Sequence, residues 1–184
     1  MFLQVKIPES DQIALKFLWW SEGNPAQLGE EYCMTVHPFG AVSSSFCASF
    51  ALRKTANLYG HDYPSSITDA VQSGFYVDDL LLSVDDQIEA RSTISSLTQL
   101  LGRAGFKLTK WASNQREVLT QIPSDERNVL VKELSDGTLP TEKALGLAWD
   151  MEGDSFIYQF EMKECPVTRR LLLSRLSAIY DPLG

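Results

Sequence analysis

The alternation of apolar and polar residues divides the chain into short strands and amphipathic helices. Over residues 2 to 7, Leu3, Val5 and Ile7 alternate with Phe2, Gln4 and Lys6, the period-two pattern of a half-buried strand; Pro8 then ends it and opens a helical turn. Leu15 to Trp20 and Tyr32 to Val36 predict a hairpin across the polar loop SEGNPAQLGEE. Val42, Phe46, Phe50 and Leu58, with Ala48, Ala51 and Leu52, recur at helical spacing and predict a helix over 44–58, capped by Ser43 or Ser44. A brief helix is expected over 67–71, before Gly74. GFYVDDLLLSVDD then predicts a tight hairpin of 75–77 against 80–84, with Asp78 and Asp79 at its bend.

Ile88, Ile94, Leu97, Leu100 and Leu101 supply the apolar face of a second long helix over 86–103, capped by Asp86 or Asp85. FKLTKWAS, 106–113, alternates as a strand, and the polar span 114–141 reads as short surface helices. ALGLAWD and SFIYQFE are two strands around MEGD, where Gly153 suits the positive φ of a hairpin turn. A last helix begins near Thr168, uses Leu172, Leu176 and Ile179, and ends at Asp181 and Pro182. The expected fold class is α+β, an antiparallel sheet with helices packed on one face.

The length of 184 residues suits one sizeable core. No stretch approaches the roughly 20 apolar residues that cross a bilayer, so no membrane partner is expected. A net charge of −8 rules out a whole-chain electrostatic grip on nucleic acid and leaves local charge to carry any such contact. Cys33, Cys47 and Cys165 are distant and odd in number, which points to a reducing compartment, and with only His37 and His61 they form no zinc spacing. MFLQVKIPESDQ is not a signal peptide. Both ends read as cut, with Met1 internal to a longer chain.

Asp78 and Asp79 are the sharpest chemical feature. Two adjacent carboxylates between a Phe-Tyr-Val run and a Leu-Leu-Leu run are costly beside a core edge without a cation. Hard oxygen donors suit Mg²⁺, with Mn²⁺ as the substitute; the other reading is a turn that simply uses two aspartates.

FYVDDLLLSV resembles the catalytic hairpin of reverse transcriptases, an aromatic, any residue and two aspartates, here Tyr76, Val77, Asp78 and Asp79. FLQV resembles the stretch after the first catalytic aspartate of those polymerases, and VHPFGAVSSSFCASFAL their Pro-Phe-Gly segment and following helix. GRAGFKLTKWASN, LGLAWD and TRRLLLSRLSAIYDPLG follow in the order of the remaining palm, the primer-gripping hairpin and the start of the connection. Through FYVDD, KWASN and SAIYDPLG the chain is most similar to the BEL/Pao class of long-terminal-repeat retrotransposons.

The resemblance implies a polymerase palm-like fold, incomplete at the N-terminus. Residues 1–160 would be a partial palm with its primer-grip-like hairpin, and 161–184 the start of the connection region. It implies RNA-directed DNA polymerisation by two-metal chemistry on an RNA or DNA template, a DNA or RNA primer and deoxynucleoside triphosphates. Asp78 and Asp79 would be catalytic and hold Mg²⁺ or Mn²⁺, Asp78 the more direct ligand. Phe2 would lie under the sugar of the incoming nucleotide, excluding a 2′-hydroxyl by volume, with ordinary strand packing as the competing reading. Phe39, Gly40 and Tyr76 would line the nucleotide pocket, Lys110 would face triphosphate or template, and Gly146 and Trp149 would belong to the primer grip. Residues 101 to 120 carry Arg103, Lys107, Lys110 and Arg116 against Glu117 alone, a local positive segment. Arg169 and Arg170 would lie near phosphate.

In this pattern the first catalytic aspartate falls before Met1, so residues 1–184 are expected to be inactive alone. Further partners would be the rest of a retrotransposon polyprotein, in an intracellular particle of the cytoplasm or in the nucleus. The alternative is a domesticated or degenerate palm that binds nucleic acid or protein without catalysis.

Overall fold

A computed structural model describes residues 1–132, 137–144, 147–157, 168–171 and 173. These form a mixed α+β protein with several helices and small antiparallel sheets, in two compact units, Met1–Leu108 and Thr109–Gly184. The expected boundary between 160 and 161 lies outside the described residues. Among the described residues, no helix is long and apolar enough to cross a membrane.

In the first unit, the segment expected as a strand over 2–7 is instead a 3-10 turn, Phe2–Gln4, followed by one antiparallel bridge between Lys6 and Val36. Phe2 and Ile7 are buried and Leu3 is exposed, against the period-two assignment. A single bridge does not propagate a ladder, so burial of Phe2 sets the local conformation. A short helix α1, Glu9–Gln12, follows Pro8 as the sequence indicates. Strands β1, Lys16–Trp19, and β2, Glu30–Cys33, form an antiparallel hairpin as expected, but β2 takes in Glu30 and Glu31, read as loop, and ends at Cys33 rather than Val36; Phe17 lies opposite Tyr32 and stacks on it.

Helix α2, Ser44–Tyr59, matches its predicted span, but its inward face differs. Ser44, Ala48, Leu52, Thr55 and Ala56 are buried, whereas Phe46, Phe50 and Leu58 are exposed. Ser43 occupies the N-cap without a side-chain capping bond. Small side chains let α2 approach α3, Ser65–Ser73, and α4, Gln87–Gly102, closely enough to interlock. The resulting core joins Leu52, Ala56, Ile67, Ala70, Val71, Leu97, Leu100, Leu101 and Phe106. Asp86 caps α4, accepting from the Glu89 N–H at 2.8 Å, while the Glu89 carboxylate accepts from the Asp85 N–H at 3.0 Å. Ile88, expected on the inner face of α4, is exposed.

The segment 106–113, which runs from the first unit into the second, is not a strand beyond a single parallel bridge of Trp111 to Arg127. Helix α5, Arg116–Leu119, and a 3-10 turn, Val129–Val131, fit the expected short helices. The unit's sheet has three antiparallel strands, β5, Thr141–Ala144, β6, Leu147–Asp150, and β7, Ser155–Ile157. ALGLAWD is therefore divided between β5 and β6, and the polar TEKA stretch pairs as a strand because Glu142 and Lys143 find partners in Trp149 and Ala148. In the turn after β6 the positive φ belongs to Asp154, not Gly153. Thr168 caps the start of the last helix, its hydroxyl accepting from the Leu171 N–H at 3.3 Å; Leu172, Leu176, Ile179, Asp181 and Pro182 lie outside the described residues.

Candidate functional site

The hairpin that carries the aspartates is built from β3, Phe75–Tyr76, and β4, Asp79–Leu80, with Phe75 opposite Leu80 and Tyr76 opposite Asp79. Opposite residues share a face. Phe75 and Leu80 therefore point together, and both pack on the core of the first unit; Tyr76 and Asp79 share the outward face. The bend is Val77–Asp78 rather than Asp78–Asp79, and the expected strand over 80–84 is only its first residue. Anchoring of Phe75 and Leu80 sets this register, overriding the turn preference of an Asp pair. It leaves Leu81, Leu82 and Val84 more than a third exposed.

The bend is strained. Val77 has φ 57°, in the left-handed region that a β-branched residue rarely adopts. Below it the backbone is held tightly: the Leu81 N–H donates to the Gly74 carbonyl at 3.1 Å, and a Cβ on Gly74 would meet the Ala70 carbonyl at 2.7 Å and Leu80 Cδ1 at 3.0 Å. Only glycine fits where the end of α3 meets the hairpin. Neither this close approach nor the strained Val77 is signalled by residue patterning, because both depend on a register set by distant core contacts.

Asp78 and Asp79 are both exposed, so the desolvation expected from their apolar flanks is absent. Among the described residues no side-chain hydrogen bond or ion pair occupies either carboxylate. Two free hard-oxygen donors on adjacent residues fit part of a Mg²⁺ ligand set. Among the described residues no group of three or more His, Cys, Asp or Glu side chains converges to complete one.

Phe2 is brought against Phe39 edge-to-face, ring centroids 5.0 Å apart at 77°. Phe2 is 8% exposed and Phe39 69%, so Phe39 presents the accessible ring. Gly40 has φ 84° with open space around its Cβ position: its conformation, not a close approach, calls for glycine. Met1 and Val5, flanking Phe2, pack on the same core that anchors Phe75 and Leu80, so both candidate segments are held by one cluster.

The remaining candidates belong to the second unit. Lys110 is exposed at φ 60°. Trp149 lies on β6 and its indole N–H donates to Asp154 Oδ1 at 3.1 Å; Gly146 lies outside the described residues. Arg169 and Arg170 are exposed at the start of the last helix. Set beside family profiles, curated proteins and solved structures, the chain matches none of them.

Proposed function

We propose that residues 1–184 are part of the palm of an RNA-directed DNA polymerase, in which Asp78 and Asp79 hold Mg²⁺ beside a primer 3′-hydroxyl and a deoxynucleoside triphosphate. The observation that carries this reading is the hairpin: two adjacent, exposed carboxylates, Asp78 on a strained bend and Asp79 on the strand that follows, with the hairpin base anchored in the core. When bound, the metal supplies Lewis-acid activation of the attacking hydroxyl and charge compensation for the leaving pyrophosphate. The chain supplies position. Phe75 and Leu80 fix the hairpin base, the bend at Val77 holds Asp78 next to Asp79, and Tyr76 lies across from Asp79 on the outward face. Phe39 offers a ring to base or sugar, and Phe2 backs it. Lys110, Gly146 and Trp149 complete the reading as template and primer contacts of the second unit.

The alternative reading is a palm that binds nucleic acid or protein without catalysis. Two measurements separate the readings. On the chain itself, Mn²⁺ is expected to broaden the amide NMR signals of residues 77–80 before others, and Asp78→Asn with Asp79→Asn to abolish this; broadening elsewhere, or none, rejects the metal assignment. Primer extension by residues 1–184 is expected to be unmeasurable. A longer chain supplying a further carboxylate should extend primers and lose nearly all activity on Asp78→Asn, while inactivity of that longer chain with intact Mn²⁺ binding supports the non-catalytic palm.

A further inference from the structure

The outward face of α2 is unused by the polymerase reading. Phe46, Phe50, Lys54 and Leu58 recur every fourth residue along α2 and form one row, three of the four apolar. Phe46 is 74% exposed, Phe50 59% and Leu58 51%, with the two phenyl rings stacked at 6.4 Å. The opposite face of the same helix is buried in the core. A helix apolar on both faces is ordinarily covered on both.

Beside the row runs an open cavity of about 530 Å³, walled by Val5, Pro8 and His37 across from Phe46, Phe50 and Lys54. Among the described residues its lining contains no Asp or Glu, although the whole chain carries a net charge of −8. Lys54 is the lining's full cation, is exposed, and makes no hydrogen bond or ion pair through its side chain among the described residues. His37 Nδ1 is buried there without a partner. Among the described residues the groove therefore combines apolar area with a positive point and no negative one.

Its shape selects the occupant. Sites for small molecules bury some 70–90% of the ligand, which side chains this exposed do not achieve. From Phe46 to Leu58 the row runs about 18 Å, enough for three turns of a second helix, whose ridges pack between side chains one turn apart. We infer that this groove seats an amphipathic helix of a partner protein whose apolar face carries one acidic residue, the carboxylate meeting Lys54. The inference stands on α2 and its groove and does not rest on the polymerase reading.

The probe is a fluorescein-labelled amphipathic peptide of about 18 residues, long enough for stable turns, with leucines at i, i+3, i+7 and i+10 and one glutamate within that face. Its twin carries lysine at that place. Anisotropy titration with the full chain is expected to show saturable binding of the glutamate peptide, about threefold or more tighter than the twin, as suits one exposed ion pair. Lys54→Glu should invert the order, and Phe50→Asp, at an exposed position, should abolish binding while circular dichroism and thermal unfolding stay as in the wild type. Absence of binding, equal binding of both peptides, or no inversion with Lys54→Glu overturns the inference. So does saturable sodium oleate binding without peptide binding, which assigns the groove to lipid. A dimer in sedimentation that Phe50→Asp disperses assigns it to a second copy and likewise overturns it.

Discussion

At the scale of single residues, conformation and burial separate roles that residue type leaves open. Val77 at φ 57° is strained for a β-branched side chain. Glycine in an ordinary strand conformation lowers stability by about 0.5–1 kcal/mol, whereas relief of a left-handed residue is worth about 1–2 kcal/mol. Val77→Gly is therefore expected to leave stability unchanged or raise it by up to about 1 kcal/mol in denaturant unfolding, and a loss would show that the bend is not strained. Phe2 carries both a packing and a pocket assignment. Its burial under Phe39 predicts that Phe2→Ala loses about 3–5 kcal/mol. In a polymerising longer chain the same change should raise the kcat/KM ratio of ribonucleotides to deoxynucleotides, and an unchanged ratio would assign Phe2 to packing alone.

At the scale of elements, the end of α2 is pinned to the end of α4. Arg103 donates to Asp62 at 2.6 Å and lies 5.6 Å from the ring centroids of both Tyr59 and Tyr63. The Arg103 hydrogen bond holds the Asp62 carboxyl below the usual carboxylate range, against a smaller opposing effect of burial and with nearby His61 and Arg103 charge assisting. A carboxyl depressed on folding stabilises above its unfolded pKa of about 4 and loses that contribution as pH falls through its folded value. Asp62→Asn is accordingly expected to lower Tm at pH 7 and to converge on the wild type as pH falls below the folded-state pKa of Asp62. A Tm gap independent of pH would mean that the pair acts through packing. The strand hairpin β1–β2 shows the other limit at this scale: it is legible as two runs of strand formers around a polar loop, yet every residue of both strands is exposed.

At the scale of the molecule, the first unit draws its core from its own residues, Leu52 to Phe106, with Met1, Val5, Phe75, Leu80 and Leu108 packed against it. Residues 1–108 expressed alone are expected to unfold in one cooperative thermal transition. Within that piece Leu97→Ala should cost about 2–5 kcal/mol, because Leu97 is fully buried among Leu52, Leu100 and Leu101. A broad, non-cooperative melt of 1–108 would show that the core depends on the rest of the chain.

The sequence by itself determined what local pattern decides: helices α2 and α4, the cap at Asp86, the β1–β2 hairpin, and the Asp78–Asp79 pair as the first place to look for a cation site. Each rests on neighbours a few residues apart, where periodicity, capping and turn chemistry act directly. Tertiary structure alone decided which face of α2 turns inward, where the 75–80 hairpin bends, and that Phe2 sits on a turn. α2 is apolar on two faces, so its pattern contains no unique inward direction; the row of Ser44, Ala48, Leu52 and Ala56 won because small side chains permit close approach to α3 and α4. Likewise the hairpin register follows from seating Phe75 and Leu80 on residues from 52 to 106, contacts too distant in the chain for any local rule to register.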